Sequence, residues 1–339
     1  MDHANKNLEN TAFSILDLVP VMSGKTAAES FANSLSLAQL AEQLGYKRFW
    51  MSEHHNMQGV ASSATSILIG YIAAGTSRIR VGAGGIMLPN HAPLVVAEQF
   101  GTLETLYNGR IDLGLGRAPG TDRLTAQALR RDPRGGEDFP ANVMELMNYF
   151  SSENAVNKVR SVPGEGLDIP VWLLGSSTYS AQLAAYLGLP FAFASHFAPQ
   201  LLETALQVYR ENFRPSERLQ QPYAMAGINV IAADTNAEAQ HLASSVYAFF
   251  LNVIRGTSGQ LQPPLNIDSI WNEQEEMAVR QMLRYLFVGD QETVANQLKR
   301  FIQQTQVDEV MVVSNIYDHK ARLRSYELLA GVKELQMIR

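Results

Sequence analysis

Glu53-His54-His55 places a carboxylate next to two imidazoles. Both group types can take a proton near neutral pH, and both can ligate a metal. The structural alternative is that Glu53 accepts hydrogen bonds from neighbouring loops while one histidine packs. A shared metal is the weaker chemistry. Consecutive strand residues point to opposite sides, so adjacent histidines chelate together only across a sharp bend. A second cluster, Gly175-Ser176-Ser177-Thr178-Tyr179-Ser180, gathers hydroxyl residues where a helix begins. One serine is enough for a cap; several hydroxyls beside the first-turn N–H groups also make an anion site. A third, Gly114-Leu115-Gly116-Arg117-Ala118-Pro119-Gly120, carries a guanidinium that can pair with an anionic group or with a loop carboxylate. Its GxGxxxG spacing, followed by a polar loop, is not a dinucleotide fingerprint, and Gly82-Ala83-Gly84-Gly85 lies inside a strand. Glycines so placed let a flat ligand approach the backbone.

Each cluster follows an apolar run of strand length. Such runs fall at Phe13 to Val21, Tyr46 to Ser52, Ile79 to Leu88, Ile111 to Arg117, Val171 to Gly175, Phe191 to Ser195, Ala224 to Ala233 and Glu309 to Val313. Helical periodicity separates them, as in Glu29 to Leu44, Ala64 to Ala74, Pro93 to Tyr107 and Leu201 to Phe213. Gly45 is expected to stop the first of these, and Ser62 or Ser63 to cap the second. Two further helices are expected at Glu273 to Leu286 and Thr293 to Gln304. Eight strand–helix units without a change of composition favour a closed (β/α)8 TIM barrel, 1–339, over an open doubly wound sheet. Insertions are expected after strands four and seven. In such a barrel the chemistry sits at the C-terminal strand ends, where all three clusters fall.

Composition narrows the function. The 339 residues carry a net charge of −6 and no dense basic stripe, which argues against nucleic-acid binding. With no cysteine, disulfide scaffolds, thiol chemistry and Cys-based metal sites are excluded. Met1 to Asn10 lacks the apolar core of a signal peptide, and no apolar run nears membrane-spanning length, which points to the cytoplasm.

Several segments in register carry a resemblance to one family. Gly45-Tyr46-Lys47-Arg48-Phe49-Trp50-Met51-Ser52-Glu53-His54-His55 resembles the second strand of bacterial luciferase-like flavin monooxygenases. Val81 to Pro89 resembles their third strand, Gly109 to Arg117 their fourth, and Gly188-Leu189-Pro190 also fits. The likeness covers most of the chain, least clearly Ala118 to Asp168 and Gly256 to Glu273, and is nearest to a YhbW-type branch.

The resemblance implies a flavin, FMN, across the C-terminal rim. Gly84, Gly85 and Gly116 would lie beside it, and Arg117, Ser176, Ser177 and Ser180 would meet its phosphate. His54 corresponds to the histidine that acts on the flavin–oxygen intermediate in luciferase. Luciferase has Glu where this chain has Ser176 and Cys where it has Gly116, so light emission and long-chain aldehyde use are not implied. The expected activity is a two-component monooxygenase that uses O2, a small organic substrate and FMN reduced by a separate flavin reductase. A deazaflavin-dependent hydride-transfer enzyme, a flavin-binding protein without turnover and a metal-dependent hydrolase using Glu53, His54 and His55 are the alternatives.

Three structural expectations accompany these. Gly256 to Pro264, rich in Gly, Pro and Gln with few apolar anchors, reads as a mobile lid. A homodimer follows from the family, supported by the apolar Ala64 to Ala74 helix. Gly84-Gly85 is expected to be a non-proline cis peptide, with a β-bulge as the plainer alternative.

Overall fold

A computed structural model describes residues 5–118, 122–131, 136–152, 158–257 and 259–333. Its strands are β1 Ala12–Asp17, β2 Arg48–Met51, β3 Arg80–Met87, β4 Ile111–Gly116, β5 Val171–Gly175, β6 Phe191–Phe193, β7 Ala224–Ala232, β8 Leu286–Gly289 and β9 Glu309–Val313. The helices are α1 Ala27–Gln43, α2 Thr65–Ala74, α3 Pro93–Leu106, α4 Arg123–Ala128, α5 Phe139–Phe150, α6 Thr178–Leu187, α7 Leu202–Asn212, α8 Asn236–Ile254, α9 Glu273–Met282, α10 Gln291–Thr305 and α11 His319–Ala330.

All strand pairings are parallel, and β1 to β7 followed by β9 close a ring of eight, a TIM barrel. These eight are the strands legible in the sequence. β8 is an addition: it pairs Leu286–Gly289 with Asn229–Ala232 of β7, beside the ring. The expected helix through Leu286 ends at Met282 instead. The insertions fall where expected, α4 and α5 after β4 and the stretch containing α9 and β8 after β7.

Local chemistry sets the helix ends. Thr26 and Glu29 form a capping box at the start of α1, and Gly45 takes φ +78° just past its end. Neither Ser62 nor Ser63 caps α2; Ala64 holds that position without a side-chain bond. Thr65 Oγ1 donates instead to the Ser62 and Ser52 carbonyls, and the Ser52 and Ser62 hydroxyls are 3.0 Å apart. That web fastens the end of β2 to α2.

Strand alternation fills the lumen. Leu16, Trp50, Trp172, Ala192, Met225, Met311 and Val313 form one apolar cluster. Trp50 of β2 and Trp172 of β5 are not ring neighbours, yet they meet edge-to-face at 5.1 Å across the interior. At the N-terminal end Arg48 bonds Asp112 at 2.7 Å and Glu309 at 2.8 Å, and Arg80 adds a second cation on Asp112. Burial alone would drive the Arg48 pKa down; the two carboxylates outweigh it and raise the value.

β3 and β4 approach closely. A Cβ on Gly114 would lie 2.3 Å from the Ala83 carbonyl oxygen, and one on Gly85 2.7 Å from that of Gly114. Gly84-Gly85 is a cis peptide, and the β3–β4 register shifts between Ala83 and Ile86 at the same place.

Within 256–264, Ser258 lies outside the described residues, and the rest of the segment has one buried apolar anchor. Leu261 is buried and bridges Met22, and its carbonyl accepts from the Ser23 N–H at 2.9 Å. The segment is docked on the loops after β1 and β2. The α2 helix is apolar on its outer face as well as its inner one. It buries Leu68, Ile69, Ile72 and Ala73, and exposes Ile67 and Tyr71.

Candidate active site

The residues after β2 divide by what they bond. Glu53, 1% exposed, accepts from His55 Nε2 at 2.9 Å, His91 Nε2 at 2.9 Å, the Met87 N–H at 3.0 Å and Asn90 Nδ2 at 3.3 Å. It ties the end of β2 to the turn after β3. The structural alternative for Glu53 therefore describes it, and His91 is the partner the sequence did not announce. Burial pushes the Glu53 carboxyl up, but the bonds from His91, Met87 and His55 outweigh it and hold the pKa below the ordinary value.

Glu53 thus stabilises the fold fully above its unfolded-state pKa of about 4.5, and the contribution is lost as pH falls through the lower folded value. The stability gap between wild type and Glu53→Gln, read from urea midpoints, is expected to hold from pH 7 to about pH 5 and to narrow as pH falls below about 4.5. A gap independent of pH would show that the carboxylate charge contributes nothing.

His54 is half-buried and is not among the Glu53 partners above. Its charge reaches His196, just after β6, where it adds to burial in disfavouring the proton. β2 and β6, whose C-terminal ends carry these two histidines, stand four places apart in the ring of eight. The loop carrying His54 is fixed on its other side by Asn56, whose Nδ2 donates to Asp122 at 2.9 Å. Asp122 in turn caps α4 through the Leu124 and Thr125 N–H groups.

Arg117 and the serine run come together. The Arg117 guanidinium lies 4.0 Å from the Tyr179 ring centroid, in the first turn of α6. Among the described residues it makes no ion pair. Ser177 holds the N-cap position of α6 in extended geometry, yet its side chain makes no capping bond. Ser176 is exposed, and Ser180 is buried under Gly175, where a Cβ would lie 2.5 Å from the Ser180 oxygen. The helix start therefore offers N–H groups and hydroxyls beside a cation, the components of a phosphate site.

The glycines are placed in two ways. A Cβ on Gly84 would meet Leu16 and Trp50 inside the barrel, and one on Gly116 would meet Met87 Sδ at 2.8 Å. Pro119 and Gly120, which end the fourth-strand glycine run, lie outside the described residues. No group of three His, Asp or Glu among the described residues could hold a metal. No described helix is long and apolar enough to cross a membrane.

The C-terminal mouth of this TIM barrel thus carries Arg117 beside a serine-rich helix start without a side-chain cap, and histidines at the ends of β2 and β6. The model of the luciferase-like monooxygenase family matches residues 11–309, and the chain belongs to that family. It is 57% identical to YvbT of Bacillus subtilis (strain 168), covering 97% of this chain and 98% of that one. It is also 57% identical to a luciferase-like monooxygenase of Escherichia coli (strain K12), covering 95% and 97%. Among solved structures, apo-MsnO8 superposes with a TM-score of 0.85 at 36% identity, covering 96% and 99%. More distant matches include the N-acetyl-S-alkylcysteine monooxygenase of B. subtilis (strain 168), 33% identical over 94% of this chain and 96% of that one. The oxygenating constituent of a 3,6-diketocamphane monooxygenase from Pseudomonas putida, in complex with FMN, shares the fold at a TM-score of 0.73 and 17% identity, covering 95% and 97%.

Proposed function

We propose that the chain, as a single domain 1–339, is the oxygenating component of a two-component monooxygenase that uses FMN reduced by a separate flavin reductase, O2 and a small organic substrate. The observation that carries this is the Arg117–Tyr179 stack, which sets a guanidinium without an ion pair beside an uncapped, serine-rich helix start. FMN fits these residues. Arg117, Ser176, Ser177, Ser180 and the first N–H groups of α6 would hold its phosphate, and Gly84, Gly85 and Gly116 would border its ring. When bound, the reduced flavin supplies the electrons with which one oxygen atom enters the substrate and the other leaves as water. His54 would hold or move a proton at an imidazole nitrogen facing the reacting atoms. The docked 256–264 segment would help keep water from them.

The relative named as a monooxygenase at 33% identity supports oxygenation over deazaflavin-dependent hydride transfer. Two F420-dependent enzymes share the fold at 12% and 18% identity, which shows the fold alone. Placement in the YhbW-type branch, residence in the cytoplasm and a homodimer belong to the same proposal. The exposed Ile67 and Tyr71 of α2 and Val95 and Leu106 of α3 support the dimer, and sedimentation giving a monomer at micromolar concentration would count against it.

The test is to load the purified protein with reduced FMN, admit O2 and follow the flavin absorbance. Reoxidation slower than that of free FMN is expected; an identical time course would refute the proposal. Arg117→Ala is expected to weaken FMN binding by about 2–3 kcal/mol, the loss of charged hydrogen bonds. Equilibrium titration reads this as a dissociation constant raised roughly 30- to 150-fold. An unchanged constant would remove Arg117 from the phosphate site.

A further inference from the structure

His196 is held with more care than a packing residue needs. It follows β6 in the turn Ser195-His196-Phe197, and three contacts fix that turn to the inner face of β7. The buried Ser195 hydroxyl donates to the Gly227 carbonyl at 2.6 Å, and Asn229 Nδ2 donates to the His196 carbonyl at 2.6 Å. The imidazole itself lies over Gly227, where a Cβ would meet Nδ1 at 2.4 Å, Cε1 at 3.3 Å and Cγ at 3.4 Å. Gly227 and Asn229 alternate with Met225, a member of the lumen cluster, so all three face the interior. The ring thus stands just above the filled lumen.

Orientation decides what this imidazole can do. Its Nδ1 edge is pressed to the Gly227 backbone, and Nδ1 is buried with no hydrogen-bond partner among the described residues. Nε2 and Cδ2, the atoms farthest from that contact, point away from β7. A buried N–H without an acceptor is rarer and costlier than an unmet lone pair, so the proton belongs on Nε2. A second proton would have to enter the dry Nδ1 position. Burial, with the charge of His54 opposite, pushes the pKa down to about 4.

We propose that His196 is a second imidazole of the mouth, one that stays neutral and presents its Nε2–H as a fixed hydrogen-bond donor to an oxygen atom of the ligand bound there. The proposal rests on the flavin reading only for the identity of that ligand. His54 and His196 then divide the work: proton transfer falls to the first, and the second positions an oxygen without changing charge. In the sequence His196 directly follows the sixth strand run, which places it at the rim, but nothing within the Ala194 to Ala198 stretch forecasts the glycine beneath it.

Histidine-labelled, ligand-free protein tests this by NMR. The His196 signals are those absent from His196→Gln or, should that variant not fold, those moved in Gly227→Ala. The Nε2–H tautomer is expected, with no titration between about pH 8 and pH 5. A midpoint near the ordinary value of about 6.5, or a proton on Nδ1, would overturn the proposal. In Gly227→Ala the new methyl displaces the ring, and the midpoint is expected to rise by at least one pH unit; an unchanged midpoint would refute the role of that contact. Oxidised FMN added to wild type is expected to move the His196 Nε2 signal. FMN that binds, by its own absorbance, without moving that signal would refute the donor. FMN that does not bind would refute the flavin reading, while the tautomer result would still uphold the neutral donor.

Discussion

His54→Ala is expected to lower turnover by about 10²–10⁴-fold, the range for losing a positioned proton donor or acceptor, while affinity for FMN barely moves. The asymmetry follows from how the β2 end is built. Glu53 and His55 bond each other at 2.9 Å, and the remaining Glu53 contacts go to His91, Asn90 and the Met87 N–H. Removing the His54 ring leaves that web in place, so the loop and the phosphate site keep their shape. His54 follows β2, whereas the proposed phosphate site, the Arg117–Tyr179 stack, lies at the ends of β4 and β5. Single-turnover kinetics and FMN titration on the same preparation separate the two effects. Equal turnover in wild type and variant would make His54 a packing residue; parallel loss of turnover and FMN affinity would assign it to cofactor binding.

Asp112→Ala is expected to destabilise the barrel by about 3–5 kcal/mol, as when one partner of a buried ion pair is removed. Asp112 is fully buried and accepts from Arg48 Nη1 at 2.7 Å, Arg80 Nη2 at 2.7 Å and Trp50 Nε1 at 3.1 Å. Without it Arg48 keeps Glu309 alone, and the Trp50 N–H loses its acceptor inside the lumen. Asp112→Asn keeps an acceptor and should fall between the two. Urea unfolding at neutral pH measures the loss. A midpoint within experimental error of wild type would mean that Arg48 is adequately held by Glu309 and its contact with Trp172.

The ring strands were readable because each is a short, fully apolar run between helical patterns, and parallel strands buried on both faces look like that. β8 was not. Leu286 to Gly289 continues an apolar series from Met282 and Leu283 at helical spacing, and four residues are too few to show a period of two. Its identity depends on β7, more than fifty positions earlier. The same distance in sequence hid His91, which reaches Glu53 from 38 residues away, and His196, whose glycine neighbour lies on another strand. Arg117 and the Ser176 to Ser180 turn were legible as components, because strand ends and helix starts can be read locally. Their meeting through Tyr179 needed the closed ring. The burial of Leu261 was equally hidden, because it depends on the loop after β1.

The filled lumen also dictates traffic. Trp50, Trp172, Met225 and Met311 block the passage beneath the mouth, and Arg48, Asp112 and Glu309 plug its far end. Whatever arrives at the C-terminal rim must depart by the same door. A cofactor held on α6, as proposed, would stand in a cul-de-sac with its co-reactants, so arrivals and departures would queue for one threshold. Congestion there, with product waiting behind the next molecule to enter, would appear as inhibition at high substrate concentration and would be relieved by widening the rim.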